Sequence, residues 1–347
     1  MLIRPHTLSL ITTHKCTAAC DHCCFDCTPQ ITKSIPIPRL FTLIDEATNI
    51  ESIRVVVFTG GECFLLGDKL DELIRHATSH GFITRCVTNG YWATSESAAS
   101  RRVERLVKAG LKEINLSTGT FHAQYVPVER IINAACACGE ANITTLINAE
   151  IFKETSFRIE DLTEHPKLSE MIKSHKVKLQ RNVWMQNNGL VQITHAKEHT
   201  RFNEQNKTGC TTAMNVIAIT PDQHLVACCG LTMEQIPDLH LGSVATHSIE
   251  YILNNTPDDF LKIWIHIEGP ERILEFVKSH LPSYRLPVEF VHPCQTCSHL
   301  YNDEQAKDVL RKNYREVESK ITQLYLAGLA GHLMDQRIKS LHRSAAD

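Results

Sequence analysis

Apolar residues in the first half of the chain follow two alternating patterns. Short, nearly continuous apolar runs predict buried strands at residues 7–13, 53–59, 82–88, 111–117, 143–151 and 176–184. Between them, apolar residues recur every three or four positions, which is typical of amphipathic helices, and Gly81 and Gly110 end two of these helices. Such strand–helix alternation predicts a parallel α/β sheet with right-handed crossovers, open or closed into a barrel. We expect its functional site at the carboxyl ends of the strands.

The pattern changes after residue 184. Residues 185–207 are polar and irregular, so we place a boundary there and predict a core domain over residues 1–200. Residues 201–300 predict a small α+β domain of short strands around cysteines, including strands at 216–220 and 225–228. Residues 301–347 predict a terminal helix that packs on the body rather than on a second copy. Its apolar seam comprises Leu310, Tyr314, Val317, Ile321 and Leu324.

The composition is that of an ordinary globular protein. The 347 residues are 43% hydrophobic and 22% charged, and the net charge is -3, so we expect no nucleic-acid or membrane-surface partner. No apolar run reaches the roughly 18 residues of a membrane span. The N-terminal apolar run is too short and too polar for a secretory signal. We therefore expect a cytoplasmic protein.

The 14 cysteines are unusual for a cytoplasmic chain. Most of them fall into three groups, which are Cys16, Cys20, Cys23, Cys24 and Cys27; Cys210, Cys228 and Cys229; and Cys294 and Cys297. In a reducing compartment, clustered cysteines bind metal or do chemistry more often than they form disulfides. The clustering therefore predicts metal sites.

The first group lies in the loop after the first predicted strand, as Cys16-Thr-Ala-Ala-Cys20-Asp-His-Cys23. Three thiolates in one short loop can wrap an iron–sulfur cluster, because thiolates are the ligands that such clusters require. Three ligands rather than four would leave one iron open to a cofactor or substrate. The alternatives are a zinc site, which normally uses two closely spaced pairs of ligands, and three unrelated thiols.

This spacing resembles the signature of the radical S-adenosylmethionine (SAM) superfamily. The resemblance implies a partial (β/α)6 TIM-like barrel in which Cys16, Cys20 and Cys23 hold a catalytic [4Fe-4S] cluster that binds SAM. The residue before the third cysteine is usually aromatic in that superfamily and lies against the adenine. In this chain it is His22, which departs from the pattern but keeps a flat ring.

Gly60, Gly61 and Glu62 follow the second predicted strand. Glycines allow the backbone to approach a ligand, and a carboxylate there can hold an ammonium group. In the superfamily, a Gly-Gly-Glu at this place binds the amino group of the SAM methionine. The resemblance therefore assigns these three residues to SAM. A tight turn with a surface glutamate is the alternative.

Polar residues also end the next predicted strands. The resemblance implies that Asn89 and Ser117 contact SAM, although an asparagine before a glycine is also a common turn former. Related enzymes often continue Ser-x-Asp after the fourth strand, whereas this chain has Gly119 in place of the acid. His122 and Glu150 are weaker candidates for the same pocket, and His122 has an ordinary loop position as its alternative.

The remaining groups can form one four-cysteine site. A predicted β-hairpin brings Cys210 near Cys228, and Cys294-Gln-Thr-Cys297 is a closely spaced chelating pair. These ligands suit either a structural zinc ion or an iron–sulfur cluster. The arrangement resembles the SPASM or twitch extension of radical SAM enzymes, which implies an auxiliary [4Fe-4S] cluster on these four residues. Cys229 is the alternative ligand to Cys228.

Three further thiols, Cys24, Cys27 and Cys63, lie near the expected SAM site. A thiol there could return a hydrogen atom to a product radical, as an epimerase requires. The alternative is that each packs as a small apolar side chain, which is the commoner role of a buried cysteine.

The resemblance implies an oxidoreductase that cleaves SAM reductively to a 5′-deoxyadenosyl radical, which abstracts a substrate hydrogen atom. We expect a ribosomally synthesised peptide as the substrate, to be oxidised, crosslinked or epimerised, and flavodoxin or ferredoxin as the reductant. Because the first predicted strand begins close to Met1, we expect no leader-binding domain before it. The alternatives are an aminosugar-type dehydrogenase acting on a small molecule and a non-catalytic protein stabilised by metal.

Overall fold

A computed structural model describes residues 4–153, 155–185, 200–257 and 259–344, with side chains described as far as residue 331. Its centre is a sheet with the strand order β6-β5-β4-β3-β2-β1-β7-β8-β9. The strands are β1 (Thr7–Ile11), β2 (Val55–Thr59), β3 (Ile83–Thr88), β4 (Glu113–Thr118), β5 (Thr144–Ile151), β6 (Val177–Val183), β7 (Val216–Ile219), β8 (His224–Val226) and β9 (His240–Ser243). Within the described residues β6 and β9 are the two edges, so the sheet is open rather than closed into a barrel.

Strands β1 to β6 pair in parallel, each with the next along the chain. The intervening helices are α1 (Ile37–Ala47), α2 (Asp68–Ser79), α3 (Glu96–Ala109), α4 (Thr120–Ala123), α5 (Val128–Glu140), α6 (Glu160–Thr163) and α7 (Pro166–Lys173). The predicted strand–helix alternation and the partial (β/α)6 core are thereby confirmed.

Burial explains why the apolar pattern predicts these elements. Every residue of β1 is buried, and so are the first four residues of β2. Helix α1 buries Leu40, Leu43 and Ile44 on one face, at the spacing that its sequence shows. Helices α2 and α5 pack against β3, β4 and β5, and the loops at the carboxyl ends of the strands build the site.

The second part of the chain extends the same sheet. Strand β7 pairs in parallel with β1, and β8 and β9 follow in antiparallel order. The sheet therefore contains strands from both sides of the predicted boundary at 185–207, most of which lies outside the described residues. The division at residues 200 and 300 stays a prediction.

The prediction of short strands within residues 201–300 is wrong for the second half of that range. Helices α8 (Ile249–Asn255), α9 (Phe260–Glu268), α10 (Pro270–His280) and α11 (Pro293–Asn302) lie there. The side chains of Ser248 and Asp259 cap α8 and α9, and α10 begins with a proline. These helix-start signals outweigh the expectation of strands around cysteines.

The predicted terminal helix is divided at Tyr314 into α12 (Glu304–Asn313) and α13 (Arg315–Ser344). Helix α13 packs on α9, so the predicted packing on the body is confirmed. Ile321 and Tyr325 are buried whereas Leu324 is 47% exposed, so the seam advances there by four residues rather than three. Across the described ranges, no helix combines the length and the apolar character that crossing a membrane requires.

Candidate active site

A cysteine-rich loop follows β1 at the carboxyl edge of the sheet. Cys16 N donates to Thr28 O at 3.1 Å, which ties the start of the loop to its later part. Cys23 N donates to Cys20 O at 2.9 Å, which turns the chain back on itself. As a result, the three predicted cluster ligands, Cys16, Cys20 and Cys23, line one cavity.

The surroundings of these thiols suit a cationic group. Burial raises the pKa of Cys16 to about 11 and raises the pKa of Cys20 well above its usual range. Hydrogen bonds from the Cys27 thiol and the Cys27 N–H lower the pKa of Cys23 to about 6, against the opposing effect of burial. The contacts of Cys23 therefore favour its thiolate form, whereas burial disfavours the thiolate form of Cys16 and Cys20 unless a positive charge lies beside them. The irons of an iron–sulfur cluster supply such a charge.

Gly60 and Gly61 bring the turn after β2 against the cysteine loop. A Cβ atom at Gly60 would overlap the carbonyl oxygen of Thr13, and one at Gly61 would overlap the carbonyl oxygen of Lys15. The φ angle of Gly60, 135°, also favours glycine. Both glycines line the same cavity as the three cysteines. The close backbone approach expected from the sequence is thus present, and its nearest partner is the cysteine loop.

Glu62 lies behind the wall of the cavity. Its carboxylate is fully buried and accepts hydrogen bonds from Phe64 N at 3.0 Å, Thr88 Oγ1 at 2.9 Å and Asn89 N at 2.9 Å. Burial raises the pKa of Glu62 to about 7. The alternative of a surface glutamate is therefore wrong. Glu62 holds the ends of β2 and β3 together, and its predicted contact with an ammonium group stays a prediction.

Asn89 connects this support to the cysteine loop. Its Nδ2 donates to Thr17 Oγ1 at 3.0 Å and lies 3.7 Å from Cys16 Sγ. Its Oδ1 accepts from Tyr91 N at 3.1 Å, which is the geometry of an Asx turn. The residue therefore forms the turn and also lines the cavity.

The ends of β4 and β5 form the opposite wall of the first cavity, and Ser117 is one of the residues in that wall. His22 reaches this wall from the cysteine loop, with a 4.6 Å separation between its ring centroid and that of Phe121, on which it stacks. It is 2% exposed, and neither of its ring nitrogens has a hydrogen-bond partner among the described residues. Burial lowers the pKa of His22 to about 2, so its imidazole is neutral.

Related enzymes often carry an acid at the position of Gly119. In this chain the Glu150 carboxylate occupies the space that a side chain at Gly119 would take. A Cβ atom at Gly119 would overlap the Glu150 carboxylate, which is buried and accepts from Phe121 N at 2.9 Å. Glu150 Oε2 lies 3.5 Å from His122 Nδ1, and neither atom has a hydrogen-bond partner within the described ranges. A buried polar atom without a hydrogen bond costs about 1–3 kcal/mol, so this wall is suited to a polar ligand.

Asn148, Asn182 and Trp184 also line the cavity, and the sequence analysis missed them. Asn182 Nδ2 donates to Asn148 Oδ1 at 3.1 Å, and Trp184 Nε1 donates to the carbonyl oxygen of His22 at 3.1 Å. They lie at or near the ends of β5 and β6. The same carboxyl-end rule that singles out Asn89 and Ser117 could have found them.

A second cavity lies between the β7–β8 hairpin and α11. Cys210, Cys228, Cys294 and Cys297 all line it. Cys210 N donates to Ile265 O on α9 at 3.0 Å, and the first turns of α11 present Cys294 and Cys297 at i, i+3 spacing. The four predicted auxiliary ligands therefore come together from three separate segments.

The second cavity also suits a metal centre. Burial raises the pKa of Cys294 to about 12 and raises the pKa of Cys228 and Cys297 well above the usual range. A Cβ atom at Gly230 would lie 3.0 Å from Cys294 Sγ and 3.7 Å from Cys228 Sγ. Buried thiols packed this closely are stable as ligands when a metal shares their charge.

Cys229 also lines the auxiliary cavity, and its thiol has a hydrogen-bond partner on the sheet. It donates to Ser9 Oγ on β1 at 3.3 Å, whereas Cys294 Sγ lies beside Gly230 and accepts from Leu231 N at 3.3 Å. Both Cys228 and Cys229 line the cavity, and the hydrogen bond to Ser9 is what distinguishes Cys229, so the preference for Cys228 as the ligand stays a prediction.

The three further thiols near the first site differ in their contacts. Cys63 is fully buried and donates to Val87 O at 3.3 Å, as a packed side chain would. Cys27 contacts Cys23 and the carbonyl oxygen of Phe25. Cys24 lines the first cavity, and burial raises the pKa of its thiol well above the usual range.

The fold and the cysteine loop define an α/β protein with a thiolate site at the carboxyl ends of parallel strands. Residues 10–148 of the chain match the family model of the radical SAM superfamily, a stretch that includes the cysteine loop and the turn at Gly60 and Gly61. Residues 10–148 therefore carry a match to the radical SAM domain.

A curated relative and two solved structures are similar to the chain over most of its length. The chain is 21% identical over 313 residues to the "Putative peptide biosynthesis protein YydG" of Bacillus subtilis (strain 168), which covers 86% of this chain and 93% of that protein. The structure of Streptococcus suis SuiB bound to S-adenosylmethionine is 15% identical, with a TM-score of 0.56 over 84% of this chain and 77% of SuiB. The structure of anSMEcpe with bound AdoMet and the Cp18Cys peptide is 13% identical, with a TM-score of 0.51 over 91% and 99%. The two structures show the same fold.

Proposed function

We propose that this protein is a peptide-modifying radical SAM oxidoreductase with a catalytic and an auxiliary iron–sulfur cluster. The observation that carries the proposal is the first cavity, where Cys16, Cys20 and Cys23 meet Gly60 and Asn89 at the carboxyl edge of the sheet. Three thiols on one loop leave a cubane cluster with one iron free of protein ligands. Gly60 and Asn89 line the same cavity and would hold a cofactor bound to that iron.

The cluster and SAM, when bound, supply a 5′-deoxyadenosyl radical that takes a hydrogen atom from the substrate. The residues of this chain position the two molecules and keep water away. Gly60 and Gly61 allow the backbone to approach SAM, and Asn89 and Ser117 offer polar contacts to it. His22 offers a neutral, flat ring to the adenine, and its two unpaired nitrogens can pair with a polar ligand.

The auxiliary site would hold a second [4Fe-4S] cluster on Cys210, Cys228, Cys294 and Cys297. The depth of these thiols and their closeness to one another support a metal there, and a zinc ion is the alternative that the same ligands suit. An auxiliary cluster would take up the electron that an oxidised substrate gives away.

A peptide is the substrate class that we favour, because the relative from Bacillus subtilis carries a name in peptide biosynthesis. A precursor encoded beside this gene, oxidised, crosslinked or epimerised at one residue, is the expected form. The electron would come from a flavodoxin or a ferredoxin. We place the enzyme in the cytoplasm, where such reductants and reduced thiols coexist.

The test is made without oxygen on cluster-loaded protein. The parent enzyme and a variant with Cys16, Cys20 and Cys23 replaced by alanine are incubated with SAM and a strong reductant, and 5′-deoxyadenosine is measured. We expect formation by the parent only, because the variant cannot hold the cluster that the cleavage requires. Cys138→Ala is the matched control, because Cys138 is a buried cysteine of α5 outside both cavities.

Two further measurements complete the test. Mass spectrometry of candidate precursor peptides after turnover identifies the substrate. Iron-loaded parent protein that forms no 5′-deoxyadenosine, with or without peptide, and whose cluster spectrum SAM does not change would contradict the proposal.

A further inference from the structure

Two histidines and an aspartate converge on the outer surface, in helices away from both cysteine sites. Asp45 lies in the last turn of α1, His76 lies in the last turn of α2, and His80 is the residue that caps α2. Asp45 Oδ1 lies 2.6 Å from His76 Nε2 and 3.0 Å from His80 Nε2. One carboxylate oxygen therefore faces two imidazole nitrogens.

The spacing of the two histidines is that of a chelating pair. Residues four apart on a helix lie on the same face, one turn above the other. The rings of His76 and His80 have centroids 4.7 Å apart and stand nearly perpendicular, with both Nε2 atoms directed at Asp45. The possible ligand atoms of the three side chains lie within 4.8 Å of one another. A tetrahedral zinc ion separates its ligand atoms by roughly 3 to 3.5 Å, so only small side-chain rotations are needed.

The backbone around this group also favours a cation. The carboxyl ends of α1 and α2 meet here, because Asp45 is two residues from the end of α1 and His76 is three residues from the end of α2. The partial negative charges of two helix ends thus add to the charge of the carboxylate. The side chains are 53%, 29% and 35% exposed for Asp45, His76 and His80, so an ion can enter and water can complete its coordination.

We propose that Asp45, His76 and His80 form a binding site for a borderline divalent cation, with Zn²⁺ as the best match. Imidazole nitrogen and carboxylate oxygen are ligands that zinc accepts, and three protein ligands leave one position for water. The ion would clasp the end of α1 to the end of α2. These helices begin after the cysteine loop and after the glycine turn, and they carry the chain back toward the amino ends of the strands. The site therefore stabilises the helices that flank the cofactor loops and takes no part in the chemistry.

The test uses cluster-loaded, full-length protein, so that the cysteine sites are occupied. Zn²⁺ is titrated by equilibrium dialysis, and thermal unfolding is followed with and without it. We expect one additional equivalent of zinc, a raised unfolding temperature and an unchanged rate of SAM cleavage. His76→Ala and His80→Ala should each weaken zinc binding by about tenfold or more. His247→Ala, an exposed histidine whose neighbour is Thr246, should leave it unchanged.

Co²⁺ distinguishes this site from stray cysteine binding. Cobalt held by imidazole and carboxylate lacks the intense near-ultraviolet bands of cobalt–thiolate coordination. Zinc binding that survives His76→Ala and His80→Ala, or cobalt spectra with thiolate bands, would overturn the proposal. The absence of an additional equivalent at 1 mM zinc would also overturn the proposal, because a dissociation constant above about 1 mM is too weak for a specific site. In each of those cases the three side chains form hydrogen bonds only.

Discussion

The two cysteine sites are assembled in different ways. The first takes all three predicted ligands from one loop, and the sheet needs only to place that loop, through Asn89 and the turn at Gly60 and Gly61. The second takes Cys210 from the chain before β7, Cys228 from the segment after β8 and two cysteines from α11. The first is therefore a local structure, and the second exists only when distant segments have folded together.

This difference predicts different consequences of losing the metal. At the first site the loop keeps its own backbone hydrogen bonds. Loss of the metal there should therefore reduce activity more than it reduces stability. At the second site the metal would join the hairpin to α11, and its binding energy is also folding energy. Variants of the two sites should separate loss of activity from loss of stability.

The largest effect is expected from Cys228→Ala. With two [4Fe-4S] clusters bound in the parent, the variant should lose about half of the iron and several kcal/mol of stability, because one ligand of the second site is missing. Cleavage of SAM should survive, since the first loop is intact. Iron content, thermal unfolding and 5′-deoxyadenosine formation are the measurements.

Cys229→Ala is the matched control for this prediction. The Cys229 thiol donates a hydrogen bond to Ser9 on β1. Its removal should leave the iron content at the parent level and lower the free energy of unfolding by about 1 kcal/mol. If Cys229→Ala lost the iron and Cys228→Ala kept it, the ligand assignment would be reversed.

The same contrast explains what the sequence could predict. The first site follows from local spacing, because Cys16, Cys20 and Cys23 are close in sequence and follow a strand whose burial is evident from its apolar run. The predicted hairpin and the closely spaced pair Cys294 and Cys297 indicate one four-cysteine site, but the resemblance was needed to favour an iron–sulfur cluster over zinc there. Helices α8 to α11 were missed, because the expectation of strands around cysteines overrode the capping residues Ser248 and Asp259.

The place of Glu150 could not be predicted from the sequence. It depends on the backbone of Gly119, whose φ angle is 139°, and on the absence of a Cβ atom there. Likewise, the sequence places Glu62 near the site but does not reveal that its carboxylate is fully buried. Whether the Glu62 carboxylate faces the ligand or supports Thr88 and Asn89 is decided by side-chain packing.

The second largest effect is expected from the loss of the Glu62 carboxylate, which supports Thr88 and Asn89. Glu62→Ala removes the acceptor of Phe64 N, Thr88 Oγ1 and Asn89 N and leaves buried donors unpaired, at about 1–3 kcal/mol each. We expect a loss of about 3 kcal/mol and weaker SAM binding, because Asn89 lies against Cys16. The iron of the second site should remain, as read from cluster spectra.

Two variants check the cause of this effect. Glu62→Gln keeps one acceptor oxygen and should recover part of the lost stability. Glu72→Ala removes an exposed glutamate of α2 and should change the free energy of unfolding by less than about 0.5 kcal/mol. An unfolding free energy of Glu62→Ala equal to that of the parent would show that the buried hydrogen bonds do not support the first site.

The smallest effect is expected from Gly119→Ala, which tests the wall of the first site. The added methyl group would overlap the Glu150 carboxylate and also place an alanine at a φ angle of 139°. We expect a loss of about 1–3 kcal/mol and a displaced carboxylate, which should weaken ligand binding in the first cavity. Gly81→Ala has the same kind of backbone penalty, at a φ angle of 85°, but its Cβ atom would have no neighbour within 4 Å. It should cost only the backbone strain, about 1 kcal/mol, and leave SAM binding unchanged. Equal losses of SAM binding in the two variants would mean that Glu150 has no part in the site. The first site would then consist of the cysteine loop and the turn at Gly60 and Gly61.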